Sequence, residues 1–342
     1  MIQKEYTFDA SYQPQVRTKT GTTNIMLDVI IALIPAMAVG VWQFGLKALL
    51  LIAVSVASCV FFEWGYRKLL KKDNSIGDLS ACVTGVLIAM VIPVKAPWWM
   101  PIVGAAFSMV IVKQLFGGLG KNFLNPALAA RAFLMASWPV IMTTWAVPAA
   151  LSKVVDGTTM ATPLSIMKAG EPLPDYFSYG NMLLGTMPGC IGEVSAIALL
   201  IGGAYLLIRK VISWRIPVSF IGTVAVITLL FPRHGGFFDV NWMLQNLLTG
   251  GLLLGAIFMA TDYSSSPVTL NGQLLYGFGC GALTVLIRYF GGYPEGVSYA
   301  ILIMNLCAWA IDKAFHRHQF GVTKEDLAAE KAAKKAAKEA AK

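Results

Sequence analysis

The sequence predicts an all-α polytopic membrane protein, with about ten transmembrane helices in two inverted five-helix repeats. Composition is the first observation behind this. Of 342 residues, 56% are hydrophobic and 13% charged, about half the ~25% charge of a typical soluble domain. The mean hydropathy is +0.65, more apolar sequence than one soluble core absorbs. The second observation is that the apolar residues fall into long runs parted by short charged or Gly/Pro-rich segments. The third is that related glycine-rich segments occur in both halves of the chain.

A spanning helix needs about 20 mostly apolar residues. In chain order the runs are Asn24–Phe44, Leu46–Trp64, Leu79–Val94, Trp98–Leu115, Asn125–Val147, Ile191–Ile208, Ile216–Phe231, Leu247–Ala260, Gln273–Phe290 and Gly296–Phe315. The third and eighth are short. The positive-inside rule orients them. With the N-terminus cytoplasmic, inside segments hold Lys4, Arg17 and Lys19, then Arg67, Lys68, Lys71 and Lys72. Lys113 and Lys121, Arg209, Lys210 and Arg215, and Lys313 and Arg317 follow on that side. Outside segments keep only Lys47, Lys95, Lys153, Lys168, Arg233 and Arg288. Both termini are therefore expected in the cytoplasm of a cell (inner) membrane protein, and the loop between runs five and six outside.

The expected organisation is a cytoplasmic N-terminal segment (1–23), a first membrane repeat (24–147), an outer loop (148–190), a second membrane repeat (191–315) and a basic cytoplasmic tail (316–342). The N-terminal segment has no apolar run of signal-peptide type, so insertion is expected to rely on the first spanning helix. The tail is rich in Ala, Lys and Glu, with good helix propensity but no apolar stripe, and reads as solvated, with anionic lipid as an alternative contact. The formal net charge of +9 reads as cytoplasmic lysines, not a nucleic-acid surface.

Leu115-Phe116-Gly117-Gly118-Leu119-Gly120 precedes Asn125-Pro126-Ala127 in the first half, and Tyr289-Phe290-Gly291-Gly292-Tyr293-Pro294 precedes Val297-Ser298 in the second. Upstream stand Thr84-Gly85 and Thr249-Gly250, each expected to start a short helix. An odd number of helices per repeat inverts the second copy, and transporters of this design place their sites where the repeats meet. Asn125 reads as an N-cap with Pro126 in the first helical position. The glycine pairs alone read first as close helix packing or as turns that exploit positive φ.

The cysteines Cys59, Cys82, Cys190, Cys280 and Cys307 form no CxxC pair, and read as small hydrophobes unless a partner chain completes an iron–sulfur site. His234, His316 and His318 lack zinc spacing. Ionisable residues near or within the runs are Asp28, Glu63, Arg131, Glu193, Asp262, Glu295 and Asp312, and an intramembrane charge is a functional candidate by default. Asp28, Glu63 and Asp312 sit near helix ends and read as interfacial. Glu193 and Asp262 stay open between interfacial and functional roles.

The outer loop holds Asp156-Gly157-Thr158-Thr159-Met160-Ala161-Thr162-Pro163-Leu164. This resembles the acidic-x-x-(Ser/Thr)-x-Ala-Thr signature on which a flavin transferase esterifies FMN to the last threonine. Such an acceptor needs accessibility and small neighbours. Gly157 and Ala161 are small, and Pro163 biases Thr162 towards extended backbone. Asp156 reads either as a helper for the metal on the incoming nucleotide or as a turn residue with Gly157.

Further segments extend the resemblance through most of the chain: Gly117 to Ala127, Pro188-Gly189-Cys190-Ile191-Gly192-Glu193-Val194-Ser195, Phe258-Met259-Ala260-Thr261-Asp262 with Ser266-Pro267-Val268-Thr269, and Gly291 to Val297. In this set and order the chain resembles the D subunits of Rnf complexes, ion-translocating ferredoxin:NAD⁺ oxidoreductases. It is also similar to the homologous B subunits of Na⁺-translocating NADH:quinone reductases. It departs from the family at Met160, where glycine is usual. The shorter N-terminal segment favours the Rnf type.

The resemblance implies covalent FMN at Thr162, with Asp156, Thr159 and Ala161 completing the motif. It also implies a second, noncovalent flavin (riboflavin or FMN), for which Lys121, Asn122, Asn125, Thr261 and Asp262 are the candidates, equally readable as an ion path. It implies electron relay between ferredoxin and NAD⁺ modules coupled to Na⁺ or H⁺ translocation. The implied partners are the other membrane, flavin-bearing and iron–sulfur subunits, and the transferase. No residue of the chain is expected to be catalytic alone or to ligate a metal. A small-solute channel or facilitator without redox chemistry is the alternative from another class.

Overall fold

The computed structural model describes residues 21–73, 75–152, 157–193, 195–233 and 236–315. Among these, every regular element is helical, and the only β pairing is two isolated bridges, Pro93 with Cys190 and Ala146 with Thr159. Four helices are long and apolar enough to cross a membrane: α1 (Thr22–Phe44), α2 (Leu46–Leu69), α13 (Leu270–Phe290) and α14 (Val297–Ala314). A fifth span is added if α11 (Val240–Leu248) and α12 (Leu252–Met259), bent by 63° at their break, count as one. Shorter apolar helices are α3 (Ser80–Met90), α4 (Trp99–Gln114), α5 (Pro126–Ser137), α9 (Ala196–Ile208) and α10 (Arg215–Leu230). Three short helices, α6 (Pro139–Met142), α7 (Pro163–Ala169) and α8 (Tyr179–Leu184), belong to the segment between α5 and α9.

The chain is thus an all-helical membrane protein. Several predicted runs shrink. The third ends as a helix at Met90, and the rest of it turns through residues 91–94. The fifth is broken at Trp138–Pro139, because proline cannot donate to the preceding turn. The eighth is broken at Gly250-Gly251, whose φ angles of 72° and 65° are left-handed and so favour glycine. Thr249-Gly250 does precede a short helix, whereas Thr84-Gly85 lies inside α3. The glycine pairs also differ: Gly117 and Gly118 take positive φ (111° and 94°), but Gly291 is extended at −72°.

Packing follows from close backbone approach. α1 lies on α9 and α2 on α3, while α10 lies on α13. A Cβ at Gly202 would stand 2.1 Å from the Ala32 carbonyl oxygen, and one at Gly85 would stand 2.6 Å from Val56 Cα. Lipid supplies no hydrophobic force between helices, so such small-residue contacts hold the bundle together. Two helices change to π geometry, α4 from Phe107 to Gln114 and α12 from Gly255 to Met259, a local widening frequent at functional sites.

Three charged side chains read as interfacial behave differently from one another. Glu63 is 0% exposed and Lys113 2%. Lys113 Nζ donates to both Glu63 carboxylate oxygens at 3.2 and 3.0 Å, and to Ser80 Oγ at 2.6 Å. Glu63 is therefore no snorkelling residue: its pair ties α2 and α4 to the start of α3. Asp28 accepts from Tyr205 Oη at 2.8 Å and from Arg209 at 3.2 Å, joining α1 to α9. Asp312 accepts the Val268 and Thr269 N–H groups, as a capping carboxylate does.

Candidate functional site

Residues between α5 and α9 fold over a small apolar cluster of Leu151, Phe177, Met182 and Met187, against which Met160 and Ile166 pack. Thr162 caps α7. Its backbone is extended (φ −72°, ψ 152°) and its hydroxyl accepts from Ser165 N at 3.2 Å. Thr162 Oγ1 also donates to Ser165 Oγ at 3.2 Å, while Ser165 Oγ donates to the Thr162 carbonyl at 2.7 Å. Pro163 occupies the first helical position, so the Thr-Pro pair sets both the extended approach and the helix start.

Contrary to the expected accessibility, Thr162 is only 4% exposed, because its hydroxyl turns inward to cap α7. Its neighbours face open space. A cleft of about 500 Å³ is lined by Met135, Thr143, Thr144, Trp145, Thr159, Met160, Ala161, Ser165, Tyr293, Pro294 and Glu295. The motif forms one wall, held by the Ala146–Thr159 bridge and by Met160 N donating to Trp145 O at 3.2 Å. The Tyr293-Pro294-Glu295 segment forms the facing wall. Lys168 of α7 ties the walls together, donating from Nζ to the Gly291 and Tyr293 carbonyls. Burial there pulls the Lys168 pKa below its usual value, with Arg233 nearby adding to the effect. Two motifs about 130 residues apart by the sequence thus meet at one cleft. Met160 fits because its side chain leans on the apolar cluster. Asp156 lies outside the described residues.

That cleft is within the roughly 300–1,000 Å³ of small-molecule sites, with one largely buried aromatic, Trp145, a second, Tyr293, and threonine hydroxyls on its walls. An FMN reaching it from Thr162 would find apolar faces for its ring and hydroxyl partners for its polar edge. Trp145, Tyr293 and the Thr143–Thr144 pair are the residues that the motif alone did not reveal. Their signal was weak, since an aromatic after two threonines is ordinary at a membrane interface.

The second set of candidates also converges. Asn122, Asn125, Thr261 and Asp262 line one cavity with Ser80, Thr84, Lys113, Tyr263 and Ser264. Asn125 caps α5, accepting from Ala127 N at 3.0 Å and Leu128 N at 3.3 Å, and donates to the Met259 carbonyl at 3.1 Å. It therefore stitches the start of α5 to the end of α12. Asp262 accepts from Ser264 Oγ at 3.1 Å and Ser265 Oγ at 2.9 Å. Burial pushes its carboxyl above the usual range, the serine hydroxyls working against that. Lys121 stands apart: it is exposed, and its side chain lies beside Gly117. The cavity holds only about 80 Å³, well short of small-molecule sites. As it stands, that is room for an ion or a few waters.

Elsewhere, Arg131 pairs with Glu295, and Cys59, Cys190 and Cys280 are buried and form no disulfide. His234, His316 and His318 lie outside the described residues.

A helical membrane bundle with a roomy cleft beside a threonine cap, and a narrow polar cavity between the start of α5 and the end of α12, defines a polytopic membrane protein with a cleft of small-molecule size. Residues 9–321 match the model of the NQR2, RnfD, RnfE family, and the chain belongs to that family. It is 49% identical over 322 residues to the D subunit of a Na⁺-translocating ferredoxin:NAD⁺ oxidoreductase complex from Acetobacterium woodii, covering 94% of this chain and 97% of that protein. It is 42% identical to the D subunit of a proton-translocating ferredoxin:NAD⁺ oxidoreductase complex from Clostridium ljungdahlii, covering 94% and 98%. The D subunit of an ion-translocating oxidoreductase complex from Stutzerimonas stutzeri is 35% identical, with 89% and 93% covered.

Proposed function

We propose that this chain is the D-type membrane subunit of an ion-translocating ferredoxin:NAD⁺ oxidoreductase complex and carries FMN as a phosphoester on Thr162. The observation that carries the reading is the cleft itself: the acceptor motif and the Tyr293–Glu295 segment wall a flavin-sized space beside the Thr162 cap. The full-length similarity to subunits so named supports it. Bound FMN would supply a carrier that takes electrons singly or in pairs. The chain's own residues do the rest. Thr162 fixes the point of attachment, Trp145 and Tyr293 bed the ring, and the Lys168 tie holds the two walls at a set distance. Because Thr162 Oγ1 is turned inward, the capping bond to Ser165 N must open for a transferase to reach it.

The ten spans and the inverted repeat belong to the same proposal. α1, α2, α3, α4 and α5 correspond in order to α9, α10, α12, α13 and α14, the third helix of each set being short. Lys113 in the last turn of α4 reaches back to Ser80 at the start of α3. Arg288 in the last turn of α13 reaches back to the Thr249 and Gly250 carbonyls before α12. This equivalent bracing supports two copies of one unit. With an odd number of helices in each, both termini lie in the cytoplasm and the Thr162 cleft on the outer face. The domain limits read from the sequence stand within this proposal.

Ion passage is assigned to the Asn125–Asp262 cavity. Na⁺ and H⁺ are equally compatible with it, and the relatives from Acetobacterium woodii and Clostridium ljungdahlii are named for one ion each. The other complex subunits, the flavin transferase and lipid are the proposed partners. The test is in-gel flavin fluorescence of the denatured chain after co-expression with the transferase. A fluorescent band that vanishes in Thr162→Ala is expected. A dark wild-type band overturns the reading and leaves the non-redox channel.

A further inference from the structure

A small pocket between α7, α11 and the end of α13 is walled by three cations and, among the described residues, by no carboxylate. Lys168 of α7, Arg233 just beyond α10 and Arg288 of α13 line it with Trp242, Asn246 and Pro294. Arg288 is 3% exposed. Its Nη1 donates to the Asn246 carbonyl at 2.7 Å and its Nη2 to the Thr249 carbonyl at 3.1 Å, which leaves Nε buried without an acceptor. Lys168 Nζ donates to the Gly291 and Tyr293 carbonyls and has a third proton to give. Arg233 is exposed and makes no ion pair among the described residues.

The excess of positive charge is local. Glu193 and Glu295 act on Arg131 and Arg288, two charges against two, and offset neither Lys168 nor Arg233. Asp239, at the start of α11, accepts the Asn241 and Trp242 N–H groups as a helix cap. Burial, then the neighbouring Arg233, holds the Lys168 pKa down, and no carboxylate opposes them. The pocket has a volume of about 10 Å³, room for one water-sized body. It therefore admits one oxygen of a larger anion and leaves the remainder at the mouth, beside Arg233. Donors on three separate segments suit a tetrahedral oxyanion, and bonds from Arg and Lys to phosphate are charge-assisted and strong. Tyr289, also on the wall, donates to the Phe231 carbonyl at 2.8 Å, and both Phe231 and Phe290 are exposed. Apolar surface is thus set next to the mouth.

We propose that Lys168, Arg233 and Arg288 form a binding site for a phosphate group. At a membrane such a group comes on a phospholipid or as free phosphate. The rings beside the mouth favour the lipid, whose acyl chains would lie on Phe231 and Phe290; basic pockets between spanning helices hold lipid headgroups in this way. Pro294 lines both this pocket and the cleft beside Thr162, so a bound headgroup borders the wall that Lys168 ties. The site itself requires no flavin.

The test uses the full chain in detergent, in wild type and in Thr162→Ala, so that a phosphate on that threonine has no part in the result and failure of the flavin reading leaves it intact. Thermal unfolding midpoints are measured against dioleoylphosphatidylglycerol, dioleoylphosphatidylcholine, sodium phosphate and sodium chloride, the two salts at equal ionic strength. Phosphatidylglycerol is expected to raise the midpoint saturably in both proteins, at lower concentration than phosphatidylcholine. Arg233→Gln is expected to weaken its apparent affinity about tenfold, and Arg233→Lys to fall between. Lys47→Gln, which removes a cation outside the pocket, is expected to leave the affinity within about twofold of wild type. A saturable shift with sodium phosphate alone, lost in Arg233→Gln, supports the site and names free phosphate as its source. No shift with either lipid or with phosphate overturns the site. So does a chloride shift as large as that of phosphate, an unchanged shift in Arg233→Gln, or an equal loss in Lys47→Gln.

Discussion

Replacing Lys113 by methionine keeps the length and apolar stem of the side chain but removes the ammonium that pairs with Glu63. The carboxylate, 0% exposed, keeps Gln114 Nε2 at 2.9 Å and Ser75 Oγ at 2.7 Å but no balancing charge beside it except Arg67 at 3.9 Å. Breaking a buried ion pair from one side costs about 3–5 kcal/mol. The two remaining donors put Lys113→Met near the lower end, about 3 kcal/mol, or roughly a hundredfold in the unfolding equilibrium. Glu63→Leu alone strands the ammonium on Ser80 Oγ and is expected to cost a similar amount. The double variant strands neither charge. It is expected to be less damaged than the sum of the singles, with a coupling energy of about 2 kcal/mol or more. The assay is unfolding in mixed detergent micelles for wild type, both singles and the double. Additivity within about 0.5 kcal/mol would refute the claim that this pair acts as one unit bracing α2, α3 and α4.

Asn125→Ala removes the cap of α5 and the bond to the Met259 carbonyl, and is expected to destabilise by about 2–3 kcal/mol in the same assay. Asn125→Ser keeps a capping hydroxyl, loses the bond to Met259 and should fall between. Gly202→Ala places a methyl 2.1 Å from the Ala32 carbonyl oxygen, so α1 and α9 must part; a lower melting temperature is expected, with little change for Gly222→Ala, where nothing lies within 4 Å. Asp262 offers a pH test. Its folded carboxyl titrates above the ordinary value of 3.8, so the folded state holds the proton longer than the unfolded state. Stability from this group is full below that value and is lost as pH rises through the folded pKa. Asp262→Asn should therefore gain on wild type in melts as pH rises above 3.8, and a parallel pair of curves would contradict the assignment.

Much of this was legible in the residues. Asn125-Pro126 announces a capped helix because the cap and the proline act through the local backbone. Thr162-Pro163 is the same signal, yet it hid a consequence: a threonine that caps must turn its hydroxyl inward, and no motif states that. Asn122, Asn125, Thr261 and Asp262 were candidates in the sequence, but their meeting in one cavity and its size depend on packing by Leu87, Leu206 and Phe258 around it, which sequence does not carry. Lys121 stands outside that cavity, because one residue along a turn changes which way a side chain points. Glu63 was misjudged because its partner Lys113 is 50 residues away, and hydropathy runs treat a buried pair and a helix-end charge alike. The breaks at Trp138–Pro139 and Gly250-Gly251 were written in plain residue types, but apolar length masked them.

Everything functional rests on whether Thr162 bears the flavin, and peptide mass spectrometry of the natively matured chain asks that most directly. The peptide spanning Thr162 is expected to carry the mass of FMN less water, with fragmentation placing it on that threonine and no other. A bare peptide, recovered from cells that supply an active flavin transferase, would contradict the account.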